Sequence, residues 1–234
     1  MNEINTRFLA PILTGIILFA LTNGLKKYTD HQKQLENKKP NITTPVVIMP
    51  NRNKRFFTGR KKKLKEIQET LKEKGAIVIS GLGGIGKTQV ALEYAYRHKN
   101  KYDSIGWMNA ETETMLFASF QNFALRNKII KEDTKEAKII INEVRDWMQK
   151  HDNWLFIYDN APDEKTLEPY LPAQNEGRRH VLITSRNTHF PQYDFLEDFY
   201  VFTEQEACKF IKKYTHKPAD EHFKKLAKIM GYFP

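Results

Sequence analysis

Residues 76–88 constrain the fold of this chain more than any other stretch. Ala76-Ile77-Val78-Ile79-Ser80 is a short, apolar, β-branched run, the pattern of a strand buried on both faces. Gly81-Leu82-Gly83-Gly84-Ile85-Gly86-Lys87-Thr88 follows without a break, and Val90, Ala91, Leu92 and Ala95 then form an apolar stripe at helical spacing. Strand, glycine loop and helix in that order make a backbone cradle for an anion. Glycines let successive N–H groups turn inward, and the helix N-terminus adds its partial positive charge. The same letters satisfy the looser Gly-x-Gly-x-x-Gly pattern of dinucleotide sites, which alone is a weak signal. Lys87-Thr88 separates the two, because a dinucleotide has no γ-phosphate for a lysine to grip. Lys87 is expected to reach the β- and γ-phosphates, and the Thr88 hydroxyl to hold Mg²⁺. Gly81, Gly83, Gly84, Ile85, Gly86, Lys87, Thr88 and Gln89 form the candidate nucleotide-binding set here.

A phosphate cradle of this kind needs a carboxylate on a nearby strand for its metal. Trp154-Leu155-Phe156-Ile157-Tyr158-Asp159 supplies one, and Asp159 is the expected Mg²⁺ partner of Thr88, directly or through water. The next residue, Asn160, stands where many ATPases of this architecture carry a second acid as general base. An amide accepts no proton at neutral pH, so hydrolysis is expected to be slow unless another group positions the water. A third apolar run, His180-Val181-Leu182-Ile183-Thr184-Ser185, ends at Arg186, whose guanidinium is a candidate γ-phosphate sensor. Asp159 and Arg186 are the candidate catalytic residues. Ser104–Met108 and Phe199–Phe202 read as two more strands. Ala137, Ile140, Ile141, Val144, Trp147 and Met148 recur at helical spacing, which is a core-facing stripe. Strands alternating with helices predict an α/β fold, a three-layer sandwich with a parallel sheet and helices on both faces.

Taken together and in order, these motifs resemble the NB-ARC branch of the STAND ATPases, over about residues 56–234. Phe56-Phe57-Thr58-Gly59-Arg60 is similar to that family's aromatic-Gly-Arg motif, which packs against adenine. By this resemblance Phe57, Gly59 and Arg60 join the nucleotide set. The acid usual a few residues later is replaced here by Lys61, Lys62 and Lys63. Asp159-Asn160 looks like the version found in bacterial members with tetratricopeptide repeats, and Ile183–Arg186 like the sensor strand. Thr203–Ala207 opens a helix as the family's small helical subdomain does. Leu226–Pro234 resembles the start of its Gly-Leu-Pro-Leu motif, which implies that Pro234 contacts the base. The chain stops at that proline, so the resemblance implies an incomplete helical subdomain over 203–234 behind a nucleotide-binding domain at 56–202. The function implied is a signalling switch binding ADP or ATP with Mg²⁺, with slow or absent hydrolysis. An active ATPase or kinase, and a truncated remnant without function, stand as alternatives. A kinase would need an acceptor-binding lid and a base, for which no pair of residues is evident.

Charge and apolar content add a separate reading of the first 55 residues. The formal net charge of +10 would suggest nucleic acid if it were spread over the surface. It is local instead: residues 26–65 hold 13 Lys/Arg against 2 acids, a net +11, while residues 66–234 carry a net −1. Phe8–Leu21 is uncharged for 14 residues, and the uncharged stretch reaches Leu25, giving 18. That is the lower edge of what a tilted helix needs to cross roughly 30 Å of hydrocarbon. A retained membrane anchor over 1–25 is the first expectation, with a cleaved signal peptide or an interfacial helix as alternatives. Glu3 offsets Arg7, and Leu21-Thr22-Asn23-Gly24 makes a poor cleavage site. Lys26 and Lys27 place the C-terminal side in the cytoplasm, and the basic stretch is expected to gain from anionic lipid. Pro40, Pro45 and Pro50 make residues 26–55 read as an extended linker. Nucleic acid is an improbable partner, because no aromatics are interleaved through that stretch. The single cysteine, Cys208, excludes an intramolecular disulfide framework.

Overall fold

A computed structural model of the chain describes residues 46–52, 57–172, 177–196, 199–217 and 221–234. The apolar stretch 8–25, most of the basic stretch 26–55 and Phe56 lie outside the described residues, and with them the anchor and lipid expectations. Among the described residues no helix is long and apolar enough to cross a membrane.

Among the described residues five strands form one parallel sheet: β1 (Val46–Ile48), β2 (Ala76–Ser80), β3 (Ser104–Asn109), β4 (Trp154–Ala161) and β5 (Arg179–Ser185). Their spatial order is β1-β3-β4-β5-β2, so β5 lies between the glycine-loop strand and the strand that carries Asp159. The helices of the sandwich are α1 (Lys61–Lys74), α2 (Lys87–His98), α3 (Glu113–Arg126), α4 (Ala137–Lys150) and the short α5 (Glu164–Leu167). Two more, α6 (Glu204–Thr215) and α7 (Glu221–Ile229), form a separate pair.

The strands are apolar on both sides because helices cover both. Along β4, Trp154, Phe156 and Tyr158 face a core shared with α3 and α4, while Leu155 and Ile157 face one shared with α1 and α2. The α4 stripe narrows to Ile140, Val144 and Met148, all fully buried, with Ile141 and Trp147 packed at its flank. A third, small core of Phe202, Ala207, Ile211, Phe223 and Ala227 holds α6 to α7. The three-layer α/β expectation agrees with this architecture.

Two strand assignments need correction. Phe199–Phe202 is not a strand, since its polar groups and rings are used elsewhere: the Tyr200 carbonyl accepts from Arg60, and the Phe202 N–H donates to Tyr232 O at 3.0 Å. The outer edge of β2 is met instead at Phe195, where the Val78 N–H donates to Asp194 O and the Leu196 N–H to Val78 O, each at 2.8 Å. The fifth strand is β1, from within the stretch read as linker, and it pairs Val46–Ile48 with Ser104–Gly106. Past β1 the chain runs along α2. The Tyr96 hydroxyl donates to Pro50 O at 3.0 Å, and Arg52 pairs with the buried Glu93 at 2.8 Å.

Candidate nucleotide-binding site

Parallel strands end together on one side of a sheet, and here that side carries the glycine loop, Asp159 and Arg186. The loop closes on Gly86, whose φ of 96° belongs to the left-handed region where glycine is unstrained, and α2 starts at the next residue. Lys87 therefore sits in the first turn of α2. Its side chain folds back into the loop, and Nζ donates to Gly81 O at 2.7 Å and Leu82 O at 2.9 Å. Only 7% of the residue is exposed. Burial pushes its pKa down, and the positive Arg186 adds to this while Asp159 opposes it. Two cations are thus held close to one another. Such an arrangement is costly unless it faces an anion.

The metal-side residues meet at the tip of β4. Thr88 Oγ1 donates to Asp159 Oδ1 at 2.8 Å, and Thr184 Oγ1, from β5, donates to the same oxygen at 2.6 Å. The Asn160 N–H in turn donates to Thr184 Oγ1 at 2.8 Å. The register of β4 on β5 breaks between Tyr158 and Ala161, and Asn160 takes a left-handed φ of 65° there. Asparagine tolerates that conformation better than most residues. A hydroxyl and a carboxylate at hydrogen-bond distance beside a phosphate cradle are the hard oxygen donors that Mg²⁺ takes. Thr88 and Asp159 therefore fit that ion.

Two cavities flank the loop. The phosphate-side one, of about 380 Å³, is lined by Gly83, Lys87, Thr88, Asp159, Asn160 and Arg186 together with Asn109 and Glu111. Arg186 stretches over the loop, its guanidinium carbon 3.7 Å from where a Cβ on Gly83 would lie. The second cavity, of about 300 Å³, is mostly apolar and lies beyond Gly86. Phe57, Thr58, Arg60, Ile85, Gln89 and Val90 line one side of it, and Phe202, Phe210 and Pro234 the other. Gln89 lines both cavities.

The expected residues are therefore brought together with few exceptions. Gly81 lies behind the loop, where its carbonyl holds Lys87. Gly59 packs on Glu206 and does not line either cavity. Arg60 lines the apolar cavity, but its guanidinium is committed to the Tyr200 carbonyl at 2.5 Å and to the rings of Phe199 and Phe202. Burial lowers its pKa against the opposing pull of Glu206. A carboxylate does reach this motif, from α6 rather than α1: Glu206 Oε1 accepts the Arg60 N–H at 3.2 Å. Thr184, Glu206 and Glu111 were not singled out from sequence. Only strand register and domain packing bring them to the site.

This fold and this loop define a P-loop nucleotide-binding domain. The NB-ARC domain family matches residues 60–220, and the chain belongs to that family. It is 27% identical over 181 residues to a nucleotide-binding leucine-rich repeat (NLR)-like protein of Hyaloscypha variabilis. That match covers 62% of this chain and 18% of the relative, so the chain spans less than a fifth of that protein. The Walker-type ATPase of Pyrococcus abyssi superposes with a TM-score of 0.50 at 11% identity, over 80% of this chain and 67% of that one. A likeness at that identity speaks to the fold alone.

Proposed function

We propose that this chain is an adenine-nucleotide switch module, binding ADP or ATP with Mg²⁺ and hydrolysing ATP slowly. The observation that carries the reading is the apolar cavity beside the glycine loop, which is walled from both sides of the molecule. Phe57, Thr58 and Val90 belong to the α/β domain, and Phe210 and Pro234 to the helical end. A base seated there would touch both, so exchanging the nucleotide would alter how the two pack. Lys87 and Arg186 would take the phosphates, and Thr88 and Asp159 the metal. Asn160, an amide where a base would help, supports a slow rate. Residues 8–25 would hold the module at a membrane with its nucleotide-binding domain in the cytoplasm, and the basic stretch behind them would favour anionic lipid.

ADP is expected to be retained at least as well as ATP. Lys87→Ala should abolish binding of both in a fluorescent-nucleotide titration. Equal binding by the wild-type chain and the variant would refute the site. Fractionation followed by protease protection tests the topology, and a C-terminus cleaved from outside the cell would refute it.

A further inference from the structure

We infer that Glu111 is the catalytic base of this site, orienting the water that attacks the γ-phosphate where Asn160 cannot. The inference rests on the nucleotide-binding reading above. The phosphate-side cavity is lined by two acids among its described residues, Asp159 and Glu111. Asp159 is committed, because one of its oxygens already accepts the hydroxyls of Thr88 and Thr184. Asn160 spends its N–H on Thr184 and offers only an amide to the cavity. Glu111 is the carboxylate left for the water.

Its position is built, not incidental. Asn109, the last residue of β3, pairs in register with Asp159. The Ala110 N–H donates to Asp159 O at 2.8 Å, tying the start of the β3–α3 loop to the tip of β4. The Asn109 side chain then accepts the Glu111 N–H at 3.1 Å, and the Asn109 N–H itself donates to Ser119 Oγ of α3 at 3.1 Å. The backbone of Glu111 is thus anchored to the strand that carries the metal-side acid. In the step inferred, the water oxygen bonds to the γ-phosphorus as the bond from that phosphorus to the β,γ-bridging oxygen breaks. ADP leaves with the bonding pair, and the water proton passes by way of Glu111 to the released phosphate. An exposed loop carboxylate holds water less firmly than one on a strand, in keeping with slow turnover.

The test uses the full chain, with fluorescent-nucleotide binding and single-turnover cleavage of γ-labelled ATP measured side by side. Glu111→Gln is expected to bind within about twofold of wild type and to cleave at least about 100-fold more slowly. Glu111→Asp should recover part of the rate, and formate should restore part of it to Glu111→Ala. Wild-type cleavage by Glu111→Gln, or loss of binding in that variant, would overturn the assignment. A wild-type chain that binds ATP without ever cleaving it would overturn it too, and leave the nucleotide site standing. A wild-type chain that binds no nucleotide would overturn the underlying reading.

Discussion

Glu206 joins two parts of the chain through one carboxylate. Oε1 accepts the Arg60 N–H, and Oε2 accepts the Thr203 N–H at 3.1 Å. Gly59 packs directly against it: φ there is 67°, and an added Cβ would overlap the carboxylate. Gly59→Ala adds left-handed strain of about 1 kcal/mol and pushes Glu206 aside. We expect a total loss of about 1–3 kcal/mol and weaker nucleotide binding, and an unchanged melting temperature would contradict this. A second single residue sets a pH dependence. His180 Nδ1 and the Tyr102 hydroxyl share a hydrogen bond of 2.8 Å, and Tyr102 also contacts the Tyr94 hydroxyl at 3.2 Å. Burial pushes the His180 pKa down to about 4, against an ordinary value near 6.5. Between those two values the unfolded chain binds a proton that the folded one refuses, so stability falls as pH drops from about 6.5 to 4. Discounted for partial exposure, the effect is on the order of 2 kcal/mol. Urea unfolding at pH 7.5 and 4.5 checks it: His180→Gln should lose a good part of the pH difference shown by wild type.

At the scale of elements, α6 starts with a full capping box, in which Thr203 Oγ1 accepts the Glu206 N–H at 3.2 Å and Glu206 reaches back to the Thr203 N–H. Thr203→Ala should cost about 1 kcal/mol. The core under α6 and α7 is small, so the loss is expected to be local. Amides of both helices should exchange about fivefold faster while those of β2, β4 and β5 stay unchanged, and uniform acceleration would refute local opening. Four of the strands were legible: β2, β4 and β5 because each is buried on both faces and reads as one continuous apolar run, and β3 from the shorter run Ser104–Met108. The β1 strand was not, because the four apolar residues Val46–Met49 between Pro45 and Pro50 carry no period. It exists through its register with β3, which no local pattern records. Phe199–Phe202 shows the converse. Phe199 and Phe202 are buried around Arg60 while Tyr200 points to solvent, so an apolar run arose without a ladder. Within the site, the glycine loop, Asp159 and Arg186 were legible because their chemistry requires those residue types at those spacings. Glu111 and Thr184 are ordinary polar residues at strand ends until β3, β4 and β5 align.

Across the whole molecule, charge and apolar surface are divided unequally. The excess of basic residues is gathered in 26–65, reaching into the start of α1, while the helical pair carries exposed apolar groups: Ile229 is 82% exposed, Met230 48% and Leu226 41%. These three are neighbours at the end of α7, a grouping that favours association in water. A nucleotide switch also needs an element that contacts its ligand differently in two states. Phe233 and Pro234 already pack on the glycine loop, near Gly84 and Gly86, and the exposed α7 residues line neither cavity beside it. Association through α7 is therefore expected to be indifferent to the nucleotide bound. For the 234-residue chain, sedimentation should show self-association of equal extent with ADP and with ATP. The double variant Ile229→Lys/Met230→Lys should weaken it at least about tenfold, because two ammonium groups would have to be desolvated in the contact. Nucleotide affinity should stay within about twofold, since neither side chain lines the site. A discrete assembly that forms with ATP and dissolves with ADP would show instead that the α7 face responds to the phosphate loop.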